Sequence, residues 1–585
     1  MFSTALKIGD LDDFLELTQD CVKPLLSSGN TSIKPDLIKQ SSYKKKRQEE
    51  YNNTNSRYNE AYISKDGSKY AATVNVVDCL TCSGCVTAAE TILLQHHNTN
   101  EFLKNVKVKK LTIVSICNQS CAAFASLLNI HPVEAMMRLC GLFKYLGAKY
   151  VINSTLSEFV SLLEAKEEFI FRYKYKDNQN MPVIVSHCPG WVCYAEKTLD
   201  PSVIPMLSRV RSSQQIQGIL VKYLTCFAHN SKVLLYKWKQ IWSYSMKIKQ
   251  IAEQFDFVEQ HELYHVCIAP CYDKKLESVR SYLPTSTINS DILEIDTVLA
   301  TVEIQDLIKS SGFNSLLDIP KRDLDNLWLD LDFIINMNSS VSQNNEISNL
   351  TIENSADLKC IQATYSDIIN GKRNNVWLLP SYYNSGSGGY CEYIFRSSVM
   401  ELFNVEIPKD TTLEYTNDNS GIIQICFKIK NEVELKFGIV NGFRAIQGIV
   451  KKLDIRRRKE DSTEVPQKSA KDTFHYLEIM ACPSGCTSGG GQSLKLDYLS
   501  QNDSEGDKYK QRGQFLQSIS ALLHDTNSKD YDIRVVTPEN LPIVLGLYKY
   551  LKHIDNSSAI SEVQLPVLRS DFAPISGPQS SSLKW

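Results

Sequence analysis

The sequence predicts an α/β protein built on parallel sheets. Short apolar runs of strand length, "LTIVSI" (111–116), "AKYVIN" (148–153) and "MPVIVS" (181–186), recur between longer helical stretches. Strands that alternate with helices pair in parallel. The helical stretches carry their own punctuation: Pro132 sits near the start of one and Gly147 where a terminating glycine belongs, the usual asymmetry of helix ends. Thr155 and Glu158 have capping-box spacing ahead of a helix that reaches about residue 170.

Along the chain, residues 1–26 read as an ordered, amphipathic start, and 27–68, rich in Ser, Asn, Lys and Tyr, as a linker or loop. Residues up to 105 form a cysteine-bearing N-terminal region. A first α/β lobe spans 106–260 and a second 261–550, with insertions at 337–356 and 456–471. Residues 551–585 are a C-terminal segment with a flexible tail. The chain has 585 residues, 43% hydrophobic and 22% charged, an ordinary globular mix. Lys+Arg number 64 and Asp+Glu 66, a net charge of −2 that gives no global pull toward nucleic acid or anionic membrane. The basic runs Lys44–Arg47 and Arg456–Lys459 read as solvated linker. The acidic start lacks the apolar core of a signal peptide, and no apolar run approaches the ~18 residues of a membrane span. A soluble intracellular chain is expected, and its 17 cysteines are then thiols rather than disulfides.

Most free cysteines pack as small hydrophobes, so spacing selects the chemical ones. Cys79, Cys82 and Cys85 form C-x2-C-x2-C, the opening of a ferredoxin-type cluster site. The usual fourth cysteine and its proline are replaced by Ala89 and Glu90, and Cys21 is the best upstream candidate for the missing ligand. A four-cysteine zinc site is the alternative. Further along, Cys188, Cys271 and Cys482 each end a strand-like run beside a proline, and Cys486 follows Cys482 by four residues. Ligands of α/β sheets bind outside the carboxyl ends of strands, so these four thiols are candidates for one crevice. Taken singly, each reads first as a buried core cysteine; it is the repeat of the same strand-end placement that sets them apart. Cys140, Cys193, Cys226 and Cys267 lack this placement and read as core, and Cys117 and Cys121 as packing.

"HELYH" (261–265) matches the zincin motif, but His265 opens a β-type run, and in a strand the two histidines cannot share a helical face. "SGSGG" (385–389) precedes a helix and reads as close backbone packing rather than a phosphate cradle; the one Gly-Lys pair, at 371–372, lies in no Walker A context.

"SHCPGWVCYAEK", "APCYDKKLE", "SGSGGYCEYIFR" and "EIMACPSGCTSGGGQ" occur in this order. With the N-terminal cysteines, they resemble the iron-only hydrogenases, and more narrowly the hydrogenase-like cytosolic iron–sulfur assembly factors related to nuclear prelamin A recognition factor. The resemblance implies an iron-only-hydrogenase-like core of two lobes, parallel sheets flanked by helices, with a small ferredoxin-like cluster region ahead of it. It implies two four-iron clusters, one on Cys21, Cys79, Cys82 and Cys85, the other on Cys188, Cys271, Cys482 and Cys486 between the lobes. It implies a non-enzymatic role in the cytoplasm, with the nucleus as a second compartment, linking an early scaffold to a late targeting complex. His187 stands where hydrogenases have a relay cysteine and Ala269 where they have a methionine, whereas Lys274 matches. Asn118 and Cys121 replace the proline and arginine usual in the assembly factors. The alternatives are a hydrogenase or other redox enzyme and a zinc-stapled interaction protein. The tail "SGPQSSSLKW" resembles tryptophan-ended docking tails, with Leu583, Lys584 and Trp585 as the contact set, although Lys584 stands where an acidic residue is usual.

Overall fold

The computed structural model describes residues 97–225, 258–325, 376–460, 474–492, 505–552, 5–8, 72–75 and 568–572, with short breaks. Cys21, Cys79, Cys82, Cys85, Cys226, the insertion at 337–356 and Leu583, Lys584 and Trp585 lie outside the described residues. In the N-terminal region, strands β1 (Ala5–Ile8) and β2 (Ala72–Asn75) pair antiparallel.

The remaining strands are β3 (Leu111–Ile116), β4 (Tyr150–Asn153), β5 (Val183–Val185), β6 (Leu263–Ala269), β7 (Thr297–Ala300), β8 (Val376–Pro380), β9 (Thr416–Asn417), β10 (Ile423–Ile429), β11 (Glu432–Asn441), β12 (Tyr476–Met480) and β13 (Asp532–Val536). One sheet is wholly parallel in the order β4–β3–β6–β7. A second runs β5–β12–β11–β10–β9, parallel across its first three strands and antiparallel across β11, β10 and β9. Strands β8 and β13 pair separately. The three apolar runs of the sequence became β3, β4 and β5. All residues of β3 and β6 are buried, as strands covered by helices on both faces must be.

A chain division at 260 does not separate the sheets. β6 and β7 join β3 and β4, while β5 crosses to β12. Right-handed crossovers let sequence neighbours part in this way, and short apolar runs carry no label for the sheet they will join.

The helices are α1 (Thr99–Val108), α2 (Asn118–Leu128), α3 (Pro132–Tyr145), α4 (Thr155–Lys174), α5 (Pro189–Thr198), α6 (Ser213–Ile219), α7 (Asp273–Val279), α8 (Thr301–Ser310), α9 (Tyr390–Phe403), α10 (Phe443–Glu460) and α11 (Glu505–Leu522). Pro132 opens α3, and Gly147, at φ +108°, follows its end. The cap of α4 lies one residue earlier than the sequence spacing suggests: Ser154 is the N-cap, and its Oγ donates to Glu158 Oε1 at 2.7 Å. The run Arg456–Lys459 is helical rather than linker, because α10 continues to Glu460.

Helix α4 lies between the sheets. One apolar cluster joins its Phe159, Leu163 and Phe169 to Ile113 of the first sheet and to Phe437, Ile439 and Tyr476 of the second. Phe169 meets Phe437 edge-on at 5.0 Å and Tyr476 at 5.5 Å. A helix covered this fully can keep carboxylates only if they are paired. Glu168 receives Arg172 Nη2 at 2.7 Å and the Ser208 hydroxyl at 2.5 Å. Glu164 receives Arg569 Nε at 2.6 Å, Lys552 Nζ at 2.7 Å and the Tyr548 hydroxyl at 2.7 Å. Those ties hold the segment around Leu568 against the body, and the Ser570 N–H donates to Arg209 O at 2.6 Å.

Because Phe437 closes the core between α4 and the second sheet, Phe437→Ala should cost about 3–5 kcal/mol. Urea unfolding would show this as a lowered midpoint, whereas an unchanged midpoint would mean the cluster is not the joint described.

Candidate metal centre

Three strand ends meet at one cavity. β5 ends at Val185, and Cys188 follows as the N-cap of α5. β6 ends at Ala269, and Cys271 follows just before α7. β12 ends at Met480, and Cys482 and Cys486 follow on a turn that closes with a 3-10 helix, Gly485–Ser488. All four thiols line one cavity, together with His187, Ala269, Lys274 and Gln214. The sequence-predicted set therefore converges from both sheets. Among the described residues, no three His, Cys, Asp or Glu side chains gather tightly enough for a single metal ion. The four thiols border one shared volume.

The loop after Cys486 joins the halves of the site. The Gly491 N–H donates to Pro270 O at 2.9 Å, the Val302 N–H donates to Gly491 O at 2.9 Å, and Gln492 Nε2 donates to Gln119 O at 2.9 Å. A Cβ on Gly489 would stand 2.5 Å from Pro270 O, and one on Gly491 would stand 3.0 Å from the same atom and 2.9 Å from Ala300 Cβ. Only bare backbone fits there. The glycines before α9 do related work: a Cβ on Gly386 would lie 2.5 Å from Thr487 Cγ2, and Ser387 Oγ accepts the Cys486 N–H at 3.0 Å. The reading of "SGSGG" as close packing holds.

Electrostatics favour a cationic occupant. Burial, and then the neighbouring Asp273, Cys482 and Cys188, push the Cys271 thiol well above its ordinary range. Burial and Cys188 push Cys486 up to about 12. Cys188 is raised by burial and by Asp273. Unligated, such thiols stay protonated; bound to iron, they release protons and neutralise its charge. The Asp273 N–H already donates to Cys271 Sγ at 3.3 Å, and Cys188 begins a ten-residue helix whose dipole favours a thiolate. These residues fit a cluster. His187, held far below its ordinary value by burial and by Lys274, is neutral, and Ser213 Oγ lies 3.4 Å from its Nδ1. Lys274 is paired with Glu277 Oε2 at 2.9 Å.

Two residues read as core or packing line the cavity instead, Cys267 and Cys117. Cys117 caps α2, its Sγ accepting the Ser120 N–H at 3.3 Å. Neither has the proline-flanked signature that singled out the candidate ligands. Cys121, Cys140 and Cys193 are buried as expected. Gln214 and Gln217, one turn apart on α6, were not legible as site residues, and their i,i+3 spacing was the available signal. His265 lies within β6 and is fully buried, while His261 precedes the strand. The zincin match is therefore a coincidence of letters.

Gly489→Ala should cost about 1–3 kcal/mol by overpacking, read by urea unfolding, whereas Gly490→Ala, whose nearest neighbour is at 3.9 Å, should be neutral. Equal effects would refute the clamp. Glu158, at the cavity wall, is raised by burial from 4.5 to about 7. Between those values the folded chain binds a proton that the unfolded chain has lost, so stability falls as pH rises through that window. Glu158→Gln should remove this part of the slope, and an unchanged stability profile between those pH values would contradict the assignment.

Comparison with known proteins places the geometry. Residues 110–234 and 241–490 match the family described as "Iron only hydrogenase large subunit, C-terminal domain". The chain is 29% identical to the mouse cytosolic iron-sulfur assembly component 3, over 100% of this chain and 99% of that one. It is 31% identical to a probable cytosolic Fe-S cluster assembly factor of Aedes aegypti, covering 84% of each chain. It is 32% identical to a probable factor of the same description from Dictyostelium discoideum, over 88% of this chain and 90% of the other. Among solved structures it is similar in fold to an apo FeFe-hydrogenase from Chlamydomonas reinhardtii, with a TM-score of 0.51 and 17% identity over 81% of this chain and 98% of that one. The chain belongs to the iron-only hydrogenase-like family, within the group of cytosolic iron–sulfur cluster assembly factors.

Proposed function

We propose that this chain is an iron–sulfur protein of the cytosolic cluster assembly machinery, not itself an enzyme. It links an early scaffold to a late targeting complex for the maturation of cytosolic and nuclear iron–sulfur proteins. Four thiols from three strand ends on one cavity carry the reading, and the names of its relatives support it. Two four-iron clusters are proposed, one on Cys188, Cys271, Cys482 and Cys486, the other on Cys21, Cys79, Cys82 and Cys85.

A bound four-iron cluster supplies a one-electron centre and a cross-link between segments. The chain's own residues do the rest. The thiols give up protons as they become ligands. The Gly489–Gly491 loop lies on Pro270 and ties the turn that carries Cys482 and Cys486 to the strand end before Cys271. Lys274 brings a positive charge beside Cys486 and Cys188. Ala269 and the neutral His187 line the wall where a hydrogenase has its methionine and relay cysteine, which argues against proton reduction.

Iron and sulfide measured in anaerobically purified protein test this reading. Cys82→Ala should lose about half of each and leave the core folded. Cys482→Ala should also lower unfolding stability, because metal binding there is folding energy. Protein loaded with zinc alone would overturn the cluster assignment, and hydrogen evolution at hydrogenase rates would overturn the non-enzymatic one.

A further inference from the structure

The C-terminal segment lies on the outer edge of the second sheet. Beyond β5 the sheet continues through single bridges, Leu207 beside Ile184 and Arg569 antiparallel beside Val210. The Arg211 N–H donates to Leu568 O at 3.0 Å and the Ser570 N–H to Arg209 O at 2.6 Å. Two guanidinium groups reach across the same joint, Arg209 Nε to Ser570 O at 3.3 Å and Arg211 Nε to Arg569 O at 3.2 Å. Residues 568–570 thus form a strap laid along 209–211. The strapped residues run straight into Ser212, the N-cap of α6, and Ser213, Gln214 and Gln217 of that helix line the thiol cavity. Earlier in the same segment, Leu207 borders β5, the strand that leads to Cys188.

The strap is well anchored by its side chains and poorly matched in its polar groups. Leu568 is fully buried in the core between the sheets, and Phe572 packs against the apolar cluster that contains Cys188 and Trp191. Arg569 Nε donates to Glu164 Oε1 at 2.6 Å. Against this, Ser570 Oγ and Arg211 Nη2 are buried at the joint with no hydrogen-bond partner. An unmet buried polar group costs free energy in the closed state and regains water when the joint opens. Among the described residues, the strap has no ladder partner besides 209–211. An edge strand of this kind lifts away by breaking bonds along one side only, unlike an interior strand. Such a segment opens at a lower cost than global unfolding.

We infer that residues 568–572 are a latch on the thiol cavity: the strap opens as a unit while the body stays folded, and α6, freed at its start, then loosens the cavity wall. The latch depends on the cluster reading only for its consequence, that iron leaves through the strap-open form.

Amide hydrogen exchange of the full chain, read by mass spectrometry, reports the opening. Protection over 209–212 and 568–570 should be at least about tenfold lower than over β3, an interior strand. Iron transfer from anaerobically loaded protein to bathophenanthroline, with dithionite to keep the iron ferrous, reports the consequence. Ser570→Ala removes an unmet hydroxyl, so it should raise protection over 209–212 and slow iron transfer, each by about threefold or more. Leu568→Asp should lower protection there and in α6 and speed iron transfer at least about tenfold, with β3 unchanged. If Leu568→Asp fails to fold, Ser570→Ala and the wild-type exchange pattern decide. Exchange of the strap and β3 at one common rate, or iron transfer that does not follow strap protection across the variants, overturns the latch. Protein that holds no iron after loading would instead overturn the cluster reading and leave the exchange result standing.

Discussion

The contact of the Gly489–Gly491 loop with Pro270 is the constraint on which the site depends. The thiols come from both sheets, Cys188, Cys482 and Cys486 from the second and Cys271 from the first. Two sheets approach this closely only where neither presents side chains. The glycines meet that condition, and the bond from the Gly491 N–H to Pro270 O fixes the approach one residue before Cys271. Pro270 cannot donate a backbone hydrogen bond, so its carbonyl is its one polar link there, and the loop takes it. Helix α4 does the same work at longer range, filling the space between the sheets with Phe159, Leu163 and Phe169.

Inside that joint, burial and charge work in opposite directions until a cation is present. Cys188, Cys271 and Cys486 are each raised by desolvation and further by their neighbours, so ionising them together without compensation is prohibitive. A metal-bound state removes the conflict. This links ligation to the closing of the two sheets, since the thiols that repel as thiolates become bridges once they share iron.

Much of this was legible in the sequence, for identifiable reasons. Cys188, Cys271 and Cys482 could be singled out because each follows a β-type run and sits beside a proline, so the punctuation marked the strand end where α/β sheets place ligands. The "HELYH" match could be set aside because the residues after it have strand character. What stayed hidden was non-local. The apolar run of β5 resembles that of β4, and only packing decides that one joins β12 and the other β3. Cys267 lies two residues before the end of β6, among core residues, and turned out to line the cavity. The cap of α4 fell to Ser154 rather than Thr155: Ser154 Oγ pairs with Glu158, while Thr155 Oγ1 accepts from Asn118, which is distant in sequence. The bond from Arg211 to Arg569 joins residues 358 positions apart, and no local pattern could reveal it.

Iron K-edge X-ray absorption on anaerobically loaded Cys82→Ala protein tests the central claim most directly, because it removes a ligand of the proposed N-terminal site and leaves the four-thiol cavity to supply the signal. An all-sulfur first shell with a short iron–iron vector is the result this account predicts. A nitrogen- or oxygen-rich shell, or an isolated iron with no iron neighbour, would contradict it.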